Sequence, residues 1–152
     1  MPLLKFICYA LFFSLGMKAQ AENRYCNERF DFCVSYPADF KKEAEPANGD
    51  GQAFYDAQGF SMIVSGMNNV MDYTLRGLLT SQRRDFDRIT YQAKGKNWFV
   101  LSGYKGNTIL YVKFYLNPQT INAFYLQYPK NLQTTYAPLV TQIVKSFTPG
   151  AL

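Results

Sequence analysis

The sequence predicts an α+β domain: an antiparallel sheet of about six or seven strands packed with two main helices. Three observations predict it. Short runs of alternating apolar and polar residues recur along the chain. Glycine- and asparagine-containing turns separate most of them. Two stretches, one in the middle and one at the end, carry apolar residues at helical spacing instead.

Arg29–Tyr36 alternates, with Phe30, Phe32 and Val34 on one side and Asp31, Cys33 and Ser35 on the other, as in a half-buried strand. Pro37 ends it, and the stretch to Asp50 reads as a loop. Asn48-Gly49-Asp50-Gly51 is a tight turn signal, because Asn and Gly accept positive φ. Strands follow near Gln52–Ala57 and Phe60–Met67. Asp72 is placed to cap a helix running to about Arg88, with Leu75, Leu78, Leu79, Phe86 and Ile89 as its apolar stripe. Four more strands are expected over Ile89–Ala93, Trp98–Tyr104, Thr108–Leu116 and Ile121–Tyr128. Their turns are Lys94-Gly95-Lys96-Asn97, Lys105-Gly106-Asn107 and Asn117-Pro118-Gln119. A last helix spans Leu132–Phe147. Pro138 inside it requires either a helix start just before it or a kink.

The beginning of the chain reads differently. A basic start at Met1–Lys5, an apolar run over Phe6–Leu15 and the small–x–small pattern Ala19-Gln20-Ala21 form a secretory signal. The apolar run is too short to span a bilayer, which takes roughly 20 residues. Cleavage is expected after Ala21, giving residues 1–21 as signal peptide and 22–152 as one domain, periplasmic or secreted, with no stable membrane insertion. Loss of Lys5 and Lys18 takes the net charge from +5 to +3, with 14 basic and 11 acidic residues left. The charge reads as mildly basic and spread along the chain, which argues against nucleic acid as partner. Cleavage leaves Cys26 and Cys33, which have one possible pairing in an oxidising compartment. Such a disulfide would pin the N-terminus to the first strand.

The sequence contains no histidine. That removes the usual nucleophile–His sites, the commonest general base and the commonest metal ligand. No phosphate loop or dinucleotide fingerprint occurs. Asp85 and Asp87 lie two apart and make a poor catalytic pair, and Asn48-Gly49-Asp50-Gly51 lacks the remaining ligands of a calcium loop. No catalytic residue, metal or cofactor is expected.

Aromatic content is the anomaly: 12 Tyr and 13 Phe against one Trp. On the strand Thr108–Leu116, Leu110, Val112, Phe114 and Leu116 share one face, and Tyr111, Lys113 and Tyr115 share the other. With Tyr125 from the neighbouring strand these form the candidate binding patch: Tyr111, Lys113, Tyr115 and Tyr125. Tyr couples buried area to a polar tip, which interfaces favour. The plainer alternative is that this face lies under a helix, or that the tyrosines pack across strands.

The segments RFDFCVSYPADF, NGDG before a strand, NWFVLSGYKGNTILYVKFYL and a closing helix ending VKSF resemble the PsbP-like proteins, the Mog/PsbP fold, over nearly all of the chain from Glu22 to Phe147. The resemblance implies an α/β/α sandwich used as a binding or assembly module, in an exported, bacterial-type member of the family. The plant photosystem role is not implied, because no functional segment matches residue by residue. The expected function is non-catalytic binding of another protein in the cell envelope, as an inhibitor, an immunity protein or an accessory subunit. The alternative is a carrier holding a small apolar ligand or lipid between sheet and helix.

Overall fold

The computed structural model describes residues 21–150. The signal peptide expected over residues 1–21 therefore lies outside the described residues except for Ala21, as does Cys8. Nine strands and two α-helices follow in order: β1 Glu22–Asn27, β2 Phe32–Pro37, β3 Lys41–Lys42, β4 Gly51–Tyr55, β5 Ser61–Asn68, α1 Leu75–Gln82, β6 Arg88–Lys94, β7 Trp98–Lys105, β8 Thr108–Leu116, β9 Thr120–Pro129 and α2 Gln133–Ser146. Seven of the strands make one antiparallel sheet in the order β3-β4-β5-β9-β8-β7-β6, and β1 and β2 form a separate hairpin.

The sheet is covered on both faces. On one side, α2 and the β1–β2 hairpin enclose a core of Phe32, Val34, Phe54, Phe60, Met62, Phe124, Ile143 and Phe147. On the other side, α1 and the segment after it cover Phe99, Leu101, Phe114 and Ile121. This is the expected α+β sandwich. β9 sits at the centre and is buried at six of its ten positions, on both faces, as a strand covered on both faces is.

Two strands go beyond the sequence reading: the two-residue β3, which pairs with β4 inside the stretch to Asp50 read as a loop, and β1. Its residues alternate weakly, and it is held by pairing to β2, with Cys26 opposite Cys33 and the two joined in a disulfide. Phe30 anchors the hairpin by lying against Gly66 of β5, where an added Cβ would come within 2.2 Å of the ring. Arg29 lies over the Phe30 ring and bridges to Asp50 at 2.6 Å. Asn48-Gly49-Asp50-Gly51 is therefore a turn, with Gly49 at φ +63° and Asp50 paired to Arg29.

The first helix is shorter than its apolar spacing predicts. Asp72 has φ 51°, in the left-handed region, and cannot cap from there. Thr74 caps instead, its side chain accepting from Gly77 N at 3.1 Å. A 3-10 turn over Arg83–Asp85 ends the helix, and Phe86 is already extended. Leu75, Leu78, Leu79, Phe86 and Ile89 do pack on one cluster. The first three reach it from a helix and the last two from extended chain. Pro138 is accommodated inside α2, five residues after its start, on the exposed side.

Candidate functional site

The register between β8 and β9 decides the fate of the tyrosine patch. Directly opposed residues of an antiparallel pair share a face. Tyr111 is opposite Leu126, Lys113 opposite Phe124 and Tyr115 opposite Asn122, all on the side of α2. Tyr125 is opposite Val112, on the side of α1. The structure thus brings Tyr111, Lys113 and Tyr115 together and puts Tyr125 on the opposite face.

The cause is the turn. A three-residue loop over Asn117–Gln119 would have set Leu116 opposite Thr120 and Tyr125 beside Tyr111. Instead Asn117 N donates to Thr120 O at 3.0 Å, and Leu116 is opposite Ile121. Asn117 Oδ1 also accepts from Gln119 N and Thr120 N, closing a tighter turn. One residue fewer in the loop turns every β9 side chain over.

Tyr111, Lys113 and Tyr115 have other company. α2 and the hairpin cover the β4–β5–β9 half of their face, and the β6–β7–β8 half is less covered. Trp98 is opposite Tyr115, and Ser102 is opposite both Tyr111 and Tyr91. A bulge between Ile89 and Tyr91 is what brings Tyr91 to this side while Ile89 stays on the other. Tyr91 is 55% exposed. Lys113 Nζ lies 5.2 Å from the Trp98 ring centre and 5.0 Å from that of Tyr115. The result is a shelf of Tyr91, Trp98, Tyr111 and Tyr115 around one lysine.

The inner edge of the shelf belongs to the core. Tyr115 stacks on Phe147 with ring centres 5.5 Å apart, and Tyr111 meets Phe124 edge-on at 6.4 Å. Burial pushes the Tyr111 hydroxyl well above its ordinary pKa, helped by the neighbouring Tyr115 and Tyr91 hydroxyls. Packing under a helix and exposure on a face, opposed as alternatives, both hold for different edges of the same rings.

Tyr125 lines a different feature. A groove of about 400 Å³ runs over the open part of the α1 face, lined by Ile63, Leu110, Val112 and Tyr125, with Asp85 and Lys105 at its margin. Ile63 is 49% exposed, so the groove is wide open. The Tyr125 hydroxyl pKa is raised by burial first and by the charge of Asp85 second, against a hydrogen bond from Gln82. Met67, Val70, Met71 and Tyr73 are also exposed on β5 and the loop after it.

Two carboxylates, Asp56 and Asp87, are engaged structurally. Asp87 Oδ2 accepts from Gly106 N at 2.7 Å. Asp56 accepts from Gln58 N and Phe60 N and from the Tyr136 hydroxyl, whose pKa is raised by burial and by that carboxylate. No helix among the described residues is long and apolar enough to cross a membrane.

The charge is segregated, not spread. Residues 22–72 hold four basic and nine acidic residues, a net of −5, and residues 73–150 hold ten basic and two acidic, a net of +8. Because β6, β7 and β8 fill one end of the sheet, the shelf lies in the basic part of the molecule.

No family model and no curated protein matches the sequence. Solved structures do match. Cyanobacterial PsbP (CyanoP) from Synechocystis sp. PCC 6803 superposes with a TM-score of 0.64 at 15% identity, over 88% of this chain and 95% of that one. The Ran-binding protein Mog1p of Saccharomyces cerevisiae superposes with a TM-score of 0.56 at 9% identity, over 86% of this chain and 96% of that one. Identities this low speak for the fold alone, and with superpositions that span most of each chain, this chain has the PsbP/Mog1 fold.

Proposed function

We propose that this chain is an exported, non-catalytic binding protein whose partner is another protein, of the inhibitor, immunity or envelope-accessory kind. The observation that carries the reading is the shelf of Tyr91, Trp98, Tyr111 and Tyr115 around Lys113. Aromatic rings with a buried inner edge and an exposed outer edge are preorganised, so a partner covers them at little entropic cost. The solved Mog1p relative in fold is described as Ran-binding, which favours a protein partner. The disulfide favours an oxidising compartment outside the cytoplasm. The lack of histidine and the structural engagement of Asp56 and Asp87 favour binding over catalysis.

Trp98 provides the cleanest test, since it is only half-buried at the margin of the shelf. Trp98→Ala should leave the melting temperature within a few degrees and weaken the partner by about 2 kcal/mol, as interface anchors do. The partner is to be captured from an envelope extract with the wild-type protein, identified by mass spectrometry and titrated against the variant. Equal affinity of the two proteins for that partner would remove the shelf from the reading. Turnover of a peptide, ester or peptidoglycan substrate, abolished by changing one carboxylate, would overturn it altogether.

A second reading is a carrier of a small apolar ligand, and the 400 Å³ groove over Ile63, Val112 and Tyr125 favours it. The volume lies within the range of ligand sites, roughly 300–1,000 Å³. Its openness fits a transient contact better than an enclosed cargo. Delipidated protein that takes up a fluorescent fatty acid, and loses it on Ile63→Asp at an unchanged melting temperature, would favour the carrier.

A further inference from the structure

We propose that β6 is a docking edge, and that an extended acidic segment of the partner protein joins the sheet there as an eighth strand. The inference rests on the protein-binding reading above and names the chemistry of the partner.

Three independent features meet at β6. The first is unpaired backbone. β6 ends the sheet and pairs with β7 alone among the described residues. Gly95 N donates inward to Trp98 O at 2.8 Å. Inward bonding alternates along an antiparallel ladder, so Tyr91 and Ala93 also bond towards β7. Gln92 and Lys94 then direct their N–H and C=O groups away from the sheet. The bulge before Tyr91 and the charge of Arg88 blunt the first part of the strand against unspecific pairing, and Tyr91–Lys94 remains in regular register.

The second feature is a recess on each face beside that edge. Side chains of an added strand point alternately to the two faces. On one face they meet the aromatic shelf. On the other they meet a cleft of about 510 Å³ lined by Leu75, Leu79 and Phe99 together with Arg76 and Lys94. Strand-addition sites draw affinity from main-chain bonds and specificity from such recesses.

The third is charge. From Arg76 to Lys113 the chain carries eight basic and two acidic residues. Of the two, Asp87 is engaged with the Gly106 amide and Asp85 lies at the groove beyond α1. A segment with acidic side chains towards Arg76 and Lys94, and apolar or aromatic ones towards Tyr91 and Trp98, complements both recesses. A nucleic acid or an anionic membrane would use the charge but not the outward backbone groups of Gln92 and Lys94.

The test uses a capped peptide in which Glu alternates with Val and Tyr, titrated into the protein lacking residues 1–21 and followed by calorimetry and amide exchange. Binding with slowed exchange at the Gln92 and Lys94 amides is expected, weakening as salt is raised. Gln92→Pro removes an outward N–H without touching the β7 pairing, though it also removes the exposed hydrogen bond that Gln92 Oε1 accepts from Arg83, and should weaken binding about tenfold at a nearly unchanged melting temperature. If that variant melts early, Lys94→Pro at the strand end removes an outward N–H together with a recess cation, and Lys94→Gln, which removes the cation alone and should bind more tightly than Lys94→Pro, separates the two. No binding of the peptide, or equal binding of its Lys-for-Glu counterpart, overturns the inference. So does a heparin fragment that competes equally and ignores the proline variants, which would mark a general polyanion site. Self-association abolished by Gln92→Pro would assign the edge to a second copy. Should Trp98→Ala abolish peptide and partner binding while both proline variants bind normally, strand addition fails and the shelf reading survives.

Discussion

Gly66 shows how much one missing side chain can hold. Phe30 occupies the space a Cβ would need, and through it the hairpin is seated on the sheet. Gly66→Ala should therefore cost about 2 kcal/mol or more through overpacking, and a urea melt would show it. A midpoint unchanged from wild type would mean that Phe30 shifts freely. Five buried or half-buried tyrosines give a second handle. The hydroxyls of Tyr25, Tyr111, Tyr125, Tyr128 and Tyr136 all have pKa values raised above the ordinary 10.0, chiefly by burial. A raised pKa on an acid favours its protonated form in the folded state. The stability this contributes is complete below pH 10 and is lost as pH rises through the folded values. Phenolate absorbance should accordingly lag behind a denatured reference above pH 10 and then rise together with unfolding. A titration that follows the denatured curve throughout would contradict this. Single residues were also where the sequence misled. Tyr125 has the composition of a patch residue, and alternation correctly separates it from Phe124. Only the length of the turn at Pro118-Gln119 decides which face it joins, and Asn117 makes that turn one residue tighter than its composition suggests.

At the scale of elements, α2 carries an obvious cost. Pro138 stands in its sixth position, lacks an N–H and crowds the preceding turn. Its side is exposed, so no packing is lost on replacing it. Pro138→Ala is expected to raise stability by about 1–3 kcal/mol, read as a higher urea midpoint. A lower midpoint would show that the proline's rigidity in the unfolded chain outweighs the strain. The strands β4 to β9 were legible because alternation and turn residues agree there. β1 was not, since Glu22–Asn27 is nearly all polar and is made a strand by its partner. The mid-chain helix was half legible. Apolar spacing identified the residues that reach the core, and a left-handed Asp72 and an early 3-10 turn moved both ends of the helix itself.

For the whole molecule, the Cys26–Cys33 disulfide is a local clasp. It closes a short loop within one hairpin, so its removal by Cys26→Ala/Cys33→Ala should cost about 2–3 kcal/mol. The seven-stranded sheet needs none of its support, and the reduced protein should keep its far-ultraviolet circular dichroism at room temperature. Collapse of that signal on reduction would show the hairpin to be essential for the sheet. The overall sandwich could be read from the sequence because each layer is specified locally. The binding face could not, because it depends on which half of a sheet face a helix leaves open.

The segregation of charge has a further consequence. The β3 and β6 ends of the sheet lie six strand spacings apart, about 29 Å. A net of −5 in one half of the sequence and +8 in the other, placed largely at opposite ends, makes a large permanent dipole across the strands. Such a molecule turns in an electric field as well as drifting in it. It should be retained by anion- and cation-exchange resins alike, despite a single sign of net charge. Arriving at an acidic surface, it lands β6 first, with the disulfide hairpin turned outward to whatever else is present.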